Sequence, residues 1–152
     1  MVQVEMVRIP SETVAVVRRE IPRDRLPTFF EEALDRVAGA LPDAGGRIAG
    51  PAFGWYHGMP NGTVDVAAGF PVQGDVHGPD GGVTLTERPG GRALVAVHVG
   101  PYEELAKTWS EVEGWVEEYS LPVRGDSWEE YLSEPTGDPS TWRTRVVLPL
   151  AS

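Results

Sequence analysis

Apolar and polar positions alternate at the start of the chain, where Val2, Val4 and Met6 are separated by polar neighbours, and a β-branched run follows at Thr13–Arg18. Both segments read as strands, with Ile9-Pro10-Ser11-Glu12 as the turn. The period then changes. Leu26, Phe30, Ala33, Leu34, Val37 and Leu41 recur at three- and four-residue steps, which predicts a helix over Leu26–Leu41 closed by Pro42. Beyond Gly45-Gly46, the segments Ile48–His57 and Thr63–Phe70 read as strands joined by Gly58-Met59-Pro60-Asn61-Gly62, whose Asn-Gly favours a tight hairpin. The same order then repeats. Val83–Glu87 and Arg92–Val99 are strands separated by Arg88-Pro89-Gly90-Gly91, and Tyr102, Leu105, Trp109, Val112, Val116 and Tyr119 share one face of a second helix. That helix runs from about Pro101 to Tyr119: Gly100 precedes Pro101 at the first helical position, and Glu103 and Glu104 complement the positive end of its dipole. Ser127–Leu132 and Trp142–Leu150 supply the last two strands.

Laid over each other, Thr13–Val17 matches Ala93–Val97, Phe53–Tyr56 matches Trp128–Tyr131, and Phe70–Val72 matches Leu148–Leu150, at offsets of 80, 75 and 78 residues. This predicts an α+β fold: one domain over residues 1–152 built from a duplicated βαββ unit, with pseudo-repeats of about 1–75 and 80–152. The expected arrangement is two antiparallel sheets side by side, both helices on one surface and a concave cleft on the other. A cleft at a pseudo-two-fold junction suits a small molecule.

Charge and composition narrow the function classes. The 152 residues hold 13 basic and 23 acidic side chains, a net charge of −10, which disfavours direct nucleic-acid binding because phosphate would be repelled. With no cysteine, disulfides, thiolate metal sites and thiol nucleophiles are all excluded. No apolar stretch approaches the ~20 residues that span a bilayer, and Met1–Pro10 lacks a signal-peptide layout, so a cytoplasmic protein without membrane contact is expected. The 18 Gly and 14 Pro, about a fifth of the chain, read as turn punctuation. Five Trp, four Tyr and four Phe argue against disorder.

The sharpest candidate chemistry lies in Trp128-Glu129-Glu130-Tyr131-Leu132. Strand alternation puts Glu129 and Tyr131 on one face and Trp128, Glu130 and Leu132 on the other. If the first face lines the cleft, Glu129 is a carboxylate on an aromatic floor, suited to a lipophilic cation; otherwise the two glutamates are solvated charges at a strand start. Phe53, Trp55 and Tyr56 occupy the matching strand of the first half, Tyr102 and Trp109 the second helix, and Trp142 the last strand. The helix stripe containing Trp109 also reads as core, whereas Tyr102, in the first turn, can overhang a sheet end. His57, His77 and His98 lie far apart without a carboxylate at ligand spacing, so no metal and no cofactor are expected; His98 reads as a packing residue. Gly78-Pro79-Asp80-Gly81-Gly82 and Pro89-Gly90-Gly91 join no strand to a helix and read as turns rather than phosphate loops. Nothing supports Ser-His-Asp catalysis. Any catalysis would fall to Glu129 as general base, with Tyr131 or Tyr56 donating to a developing oxyanion.

The motif His98-Val99-Gly100-Pro101-Tyr102-Glu103-Glu104-Leu105 resembles the helix-entry motif of the GyrI-like small-molecule-binding domains, the effector-binding domains of AraC- and MerR-type multidrug regulators. Trp128-Glu129-x-Tyr131-Leu132 followed by Trp142-Arg143-Thr144 and Leu148-Pro149 agrees, as do Gly50-Pro51-x-Phe53-Gly54-x-Tyr56 and Asp65-Val66 to Pro71-Val72. The resemblance spans nearly the whole chain. It implies a cleft for hydrophobic, often cationic or aromatic compounds, with Glu129 at its base and Tyr56, Tyr102, Trp55, Trp109 and Trp142 as walls. Strand one begins at Val2, leaving no helix-turn-helix ahead of the domain, so the stand-alone form is expected. Stand-alone members are described as drug-binding or sequestering proteins, as gyrase-inhibitor-like proteins that bind a protein partner, and in some branches as hydrolases of cyclopropane-bearing genotoxins. The last activity would use Glu129 and Tyr131 to position water. Binding of a hydrophobic small molecule is the leading expectation.

Overall fold

The computed structural model describes residues 2–59, 62–74, 76 and 82–151. The chain divides into two compact units, one formed by residues 11–89 and the other by residues 1–10 together with 90–152. Both are α+β, and both contain a strand followed by a helix and then by further strands.

In the first unit the strands are β2 (Glu12–Pro22), β3 (Gly46–Ile48), β4 (Phe53–Gly58), β5 (Thr63–Gly74) and β6 (Thr84–Arg88), with helix α1 (Leu26–Ala40) after β2. The antiparallel order is β4-β5-β2-β6, and β3 pairs with the far end of β5. Helix α1 forms because its apolar residues recur at helical spacing and Pro27 sits in the first turn, where no amide partner is lost. It buries Phe29, Ala33 and Val37 against Ala15, Val17, Val66 and Ala68. A short turn Pro42–Ala44 and left-handed Gly45 (φ 84°) end it.

The second unit holds β1 (Glu5–Ile9), β7 (Gly91–Val99), β8 (Ser127–Tyr131) and β9 (Arg143–Pro149), in the antiparallel order β1-β7-β9-β8, with α2 (Leu105–Tyr119) after β7. Helix α2 buries Leu105, Thr108 and Val112, and its apolar cluster includes Leu94, Ala96 and Val146 of the sheet.

The structure departs from the sequence reading in four places. The turn after Ile9 leads β1 away from β2: β1 pairs with β7 (Val7 with Ala93), while β6, which leads into β7, pairs with β2. Each unit thus takes its edge strand from the chain segment that precedes the other. The expected strand Ile48–His57 is interrupted, because Pro51 has no amide to give a ladder; β3 ends at Ile48 and β4 begins at Phe53. Pro101 is extended (φ −66°, ψ 155°) and caps a one-turn segment Tyr102–Glu104 before α2 begins at Leu105.

The fourth departure concerns register. Val17 pairs with Ala68 and Ala68 with Gly54; in the second unit Ala96 pairs with Val146 and Val146 with Glu129. Val17 therefore corresponds to Ala96, one residue off the 80-residue match. Val14–Val17 and Ala93–Ala96 are buried on both faces, so no period of two marks which side chains face the helix. The other two matches agree with the pairing. Parts of two expected turns, Pro60-Asn61 and Gly78–Gly81, lie outside the described residues, as does His77.

Candidate functional site

The site grows from β8. Glu129 lies opposite Val146, and Val146 belongs to the apolar cluster beneath α2, so Glu129 and Tyr131 point to the helix-bearing face of their sheet. Trp128 and Glu130 take the other face. The Glu129 carboxylate therefore lies on the α2 side of its sheet, whereas the expectation put the cleft on the surface opposite the helices.

Glu129 is 8% exposed. Trp109, one turn into α2, donates its indole N–H to Oε2 at 2.7 Å, and the Tyr131 hydroxyl donates to Oε1 at 3.0 Å. Both donors are neutral, and among the described residues no cationic side chain pairs with this carboxylate. Its neighbour Glu130 is equally buried but differently matched: it accepts from the Trp128 indole at 3.0 Å and from Arg145 at 3.3 Å. Of two adjacent glutamates, one is charge-compensated within the fold and the other is not.

Aromatic rings extend from Glu129. Tyr102 stands 5.7 Å, centroid to centroid, from Tyr131 and 5.0 Å from Trp142, whose indole N–H is held by the Thr136 carbonyl at 2.9 Å. All three are only partly buried. Burial, and secondarily the negative charge of Glu129, raise the Tyr102 phenol above its ordinary range. Five expected residues, Glu129, Tyr131, Tyr102, Trp109 and Trp142, are therefore brought together within one unit.

The entry to α2 is fixed from below by a residue pair. His98 on β7 contacts Thr108 through Nδ1 at 2.8 Å and the Pro101 carbonyl through Nε2 at 3.0 Å. A carbonyl only accepts, so Nε2 carries the proton. Gly100 has φ 136°, and a side chain there would meet Glu104 and His98. His98 is the packing residue its position suggested. Thr108 was missed; its signal is a hydroxyl at a core position of an otherwise apolar helix face.

Phe53, Trp55 and Tyr56 belong to the first unit. Phe53 is buried with the Arg88 guanidinium 4.4 Å over its ring, Trp55 lies against His57 with centroids 4.3 Å apart and the rings tilted by 47°, and Tyr56 meets Phe30 edge-on at 6.5 Å in the α1 core. By the pairing register Gly54 takes the place of Glu129, and α1 offers Phe29 and Phe30 where α2 has Thr108 and Trp109. The duplicated unit repeats the scaffold but not the carboxylate. Among the described residues no group of three or more His, Asp or Glu could hold a metal ion, and no helix is long and apolar enough to cross a membrane.

The model of the GyrI-like small-molecule-binding domain matches residues 2–151. No curated protein sequence matches the chain. Among solved structures the fold is shared with the EcmrR C-terminal domain (TM-score 0.82, 22% identity, 100% of this chain and 99% of that one). It is also shared with a protein described as a hydrolase from Listeria innocua (TM-score 0.71, 17% identity, 98% and 92%). A third is SAV2435 bound to tetraphenylphosphonium (TM-score 0.74, 12% identity, 99% and 94%).

Proposed function

This chain belongs to the GyrI-like small-molecule-binding family, and on that footing we propose that it binds hydrophobic aromatic cations, with Glu129 as the counter-charge. One observation carries this reading: a nearly buried carboxylate that, among the described residues, is held by the neutral donors Trp109 and Tyr131 and by no cation, beside the rings of Tyr102 and Trp142. Two hydrogen bonds make burial of the charge tolerable but leave it uncancelled. An ion pair at 4 Å in an effective dielectric of about 20 is worth roughly 4 kcal/mol before desolvation. A cation spread over an apolar body gains that attraction at low dehydration cost and finds aromatic faces as well. A solved relative of the same fold holds tetraphenylphosphonium, a cation of this kind.

The test is calorimetric titration with tetraphenylphosphonium. Glu129→Gln keeps the shape and removes the charge, and affinity should fall at least about tenfold, 1.4 kcal/mol, while a neutral aromatic of similar size is unaffected. Equal affinity in the two proteins would overturn the reading. A second reading, hydrolysis of an electrophilic aromatic compound, draws on the Tyr131 hydroxyl placed 3.0 Å from Glu129, where a general base and a proton donor meet. It requires turnover of a cyclopropane-bearing substrate that disappears in the same variant; binding without turnover eliminates it.

A further inference from the structure

The first unit contains a cavity of about 490 Å³, set against β2 and α1 and remote in character from the carboxylate site. Its floor includes the buried apolar Phe29 and Ala33, and its rim carries Arg19, Arg25 and Arg36 with a single acidic side chain, Glu32. The three arginines are exposed, and among the described residues none of them forms an ion pair. Arg19 and Arg36 also converge: a methyl group on Gly82 would stand 3.2 Å from Arg19 Nη2 and 3.8 Å from Arg36 Nη1, so both guanidinium groups reach one spot. Arg19 is held there by donating from Nη1 to the Arg18 carbonyl at 2.9 Å.

We propose that this cavity is a second, independent site, which binds a small anion carrying an apolar body, such as an aryl phosphate. Three guanidinium groups share this rim with one carboxylate, and among the described residues none is in an ion pair, so they repel each other and an anion relieves that repulsion. Guanidinium forks suit the oxygens of phosphate or carboxylate, the floor takes a ring, and the volume lies in the range of small-molecule pockets. The charge preference is opposite to that of Glu129, so one chain would take both kinds of amphiphile at different places.

The probe is 1-naphthyl phosphate, titrated calorimetrically against the intact protein, with 1-naphthol and inorganic phosphate as arms that offer only the ring or only the charge. One saturable site is expected for 1-naphthyl phosphate, with both arms weaker by about tenfold or more. The double variant Arg19→Gln/Arg36→Gln, two exposed positions, should weaken the probe by at least about tenfold. Glu32→Gln should tighten it, and Glu129→Gln should leave it unchanged. Absence of saturable binding, or affinity indifferent to both groove variants, overturns the proposal. Sensitivity to Glu129→Gln with indifference to the arginines would move the anion to the other site and likewise overturn it. Loss of tetraphenylphosphonium binding bears on the Glu129 reading alone.

Discussion

Two adjacent glutamates on one strand show how little residue identity says before partners are known. Alternation separates Glu129 from Glu130 and joins Glu129 to Tyr131, which is legible in five residues of sequence. What sequence does not contain is the partner across the fold: Arg145 for Glu130, the Trp109 indole for Glu129. By its spacing Trp109 reads as core, because helix spacing reports the buried stripe and not the atom at its edge. The indole is testable. Trp109→Phe keeps a smaller aromatic ring but removes the N–H, stranding Oε2 of a buried carboxylate, so urea unfolding should show a loss of about 1–3 kcal/mol. Tyr102 supplies a second measurement. Burial first, then the Glu129 charge, raise its phenol above the ordinary value of 10.0. Folding thus favours the protonated phenol: the stability it contributes is complete below pH 10 and is lost as the pH climbs from there toward the raised value. Phenolate absorbance should show Tyr102 ionising at lower pH in Glu129→Gln than in the parent protein; an unchanged titration would mean that the two groups do not sense each other.

Element by element, the chain announced its two helices to within a few residues, since amphipathic spacing with proline at the ends is a strong signal. Its central strands were legible as strands but not in register. Val14–Val17 and Ala93–Ala96 are apolar on both faces, so an overlay one residue out costs nothing in pattern while turning every side chain to the wrong face. Close approach of β5 and β2 leaves a sharper mark at Gly69, where a Cβ would overlap the Ala15 carbonyl and crowd the Val16 Cα at 2.9 Å. Backbone atoms there cannot give way. Gly69→Ala should cost about 3 kcal/mol or more, or prevent folding altogether. Gly114, in mid-α2 with nothing within 4 Å, has no such role, and Gly114→Ala should stabilise the protein by about 0.5–1 kcal/mol in the same unfolding assay. The arginine groove had no sequence signal: Arg19 lies on β2, Arg25 precedes α1 and Arg36 sits ten residues into it, brought together only by tertiary structure.

At the scale of the molecule, what local pattern concealed is the exchange of edge strands. A tight turn between two short strands ordinarily closes a hairpin, and Ile9–Glu12 and Arg88–Gly91 both look like one. Instead β1 lies on β7 and β6 lies on β2, so each unit is completed by a strand whose chain neighbour belongs to the other. Pairing partners 68 to 90 residues apart replace local ones, at a cost in loop closure that grows only slowly with length. Removal of residues 1–10 separates the two arrangements. With a local hairpin, β2 would lose its neighbour and its amides would exchange fastest. With the observed pairing, β2 keeps β5 and β6, whereas β7 keeps only β9 and exposes the edge that carried Val7 and Glu5. Hydrogen exchange on the shortened protein should therefore accelerate most at Gly91–Val99 and less at Glu12–Pro22. Affinity for tetraphenylphosphonium should fall with it, because β7 carries His98, which holds the first turns of α2 and with them Tyr102 and Trp109 against Glu129. Equal or greater acceleration at Glu12–Pro22 would refute the exchanged topology.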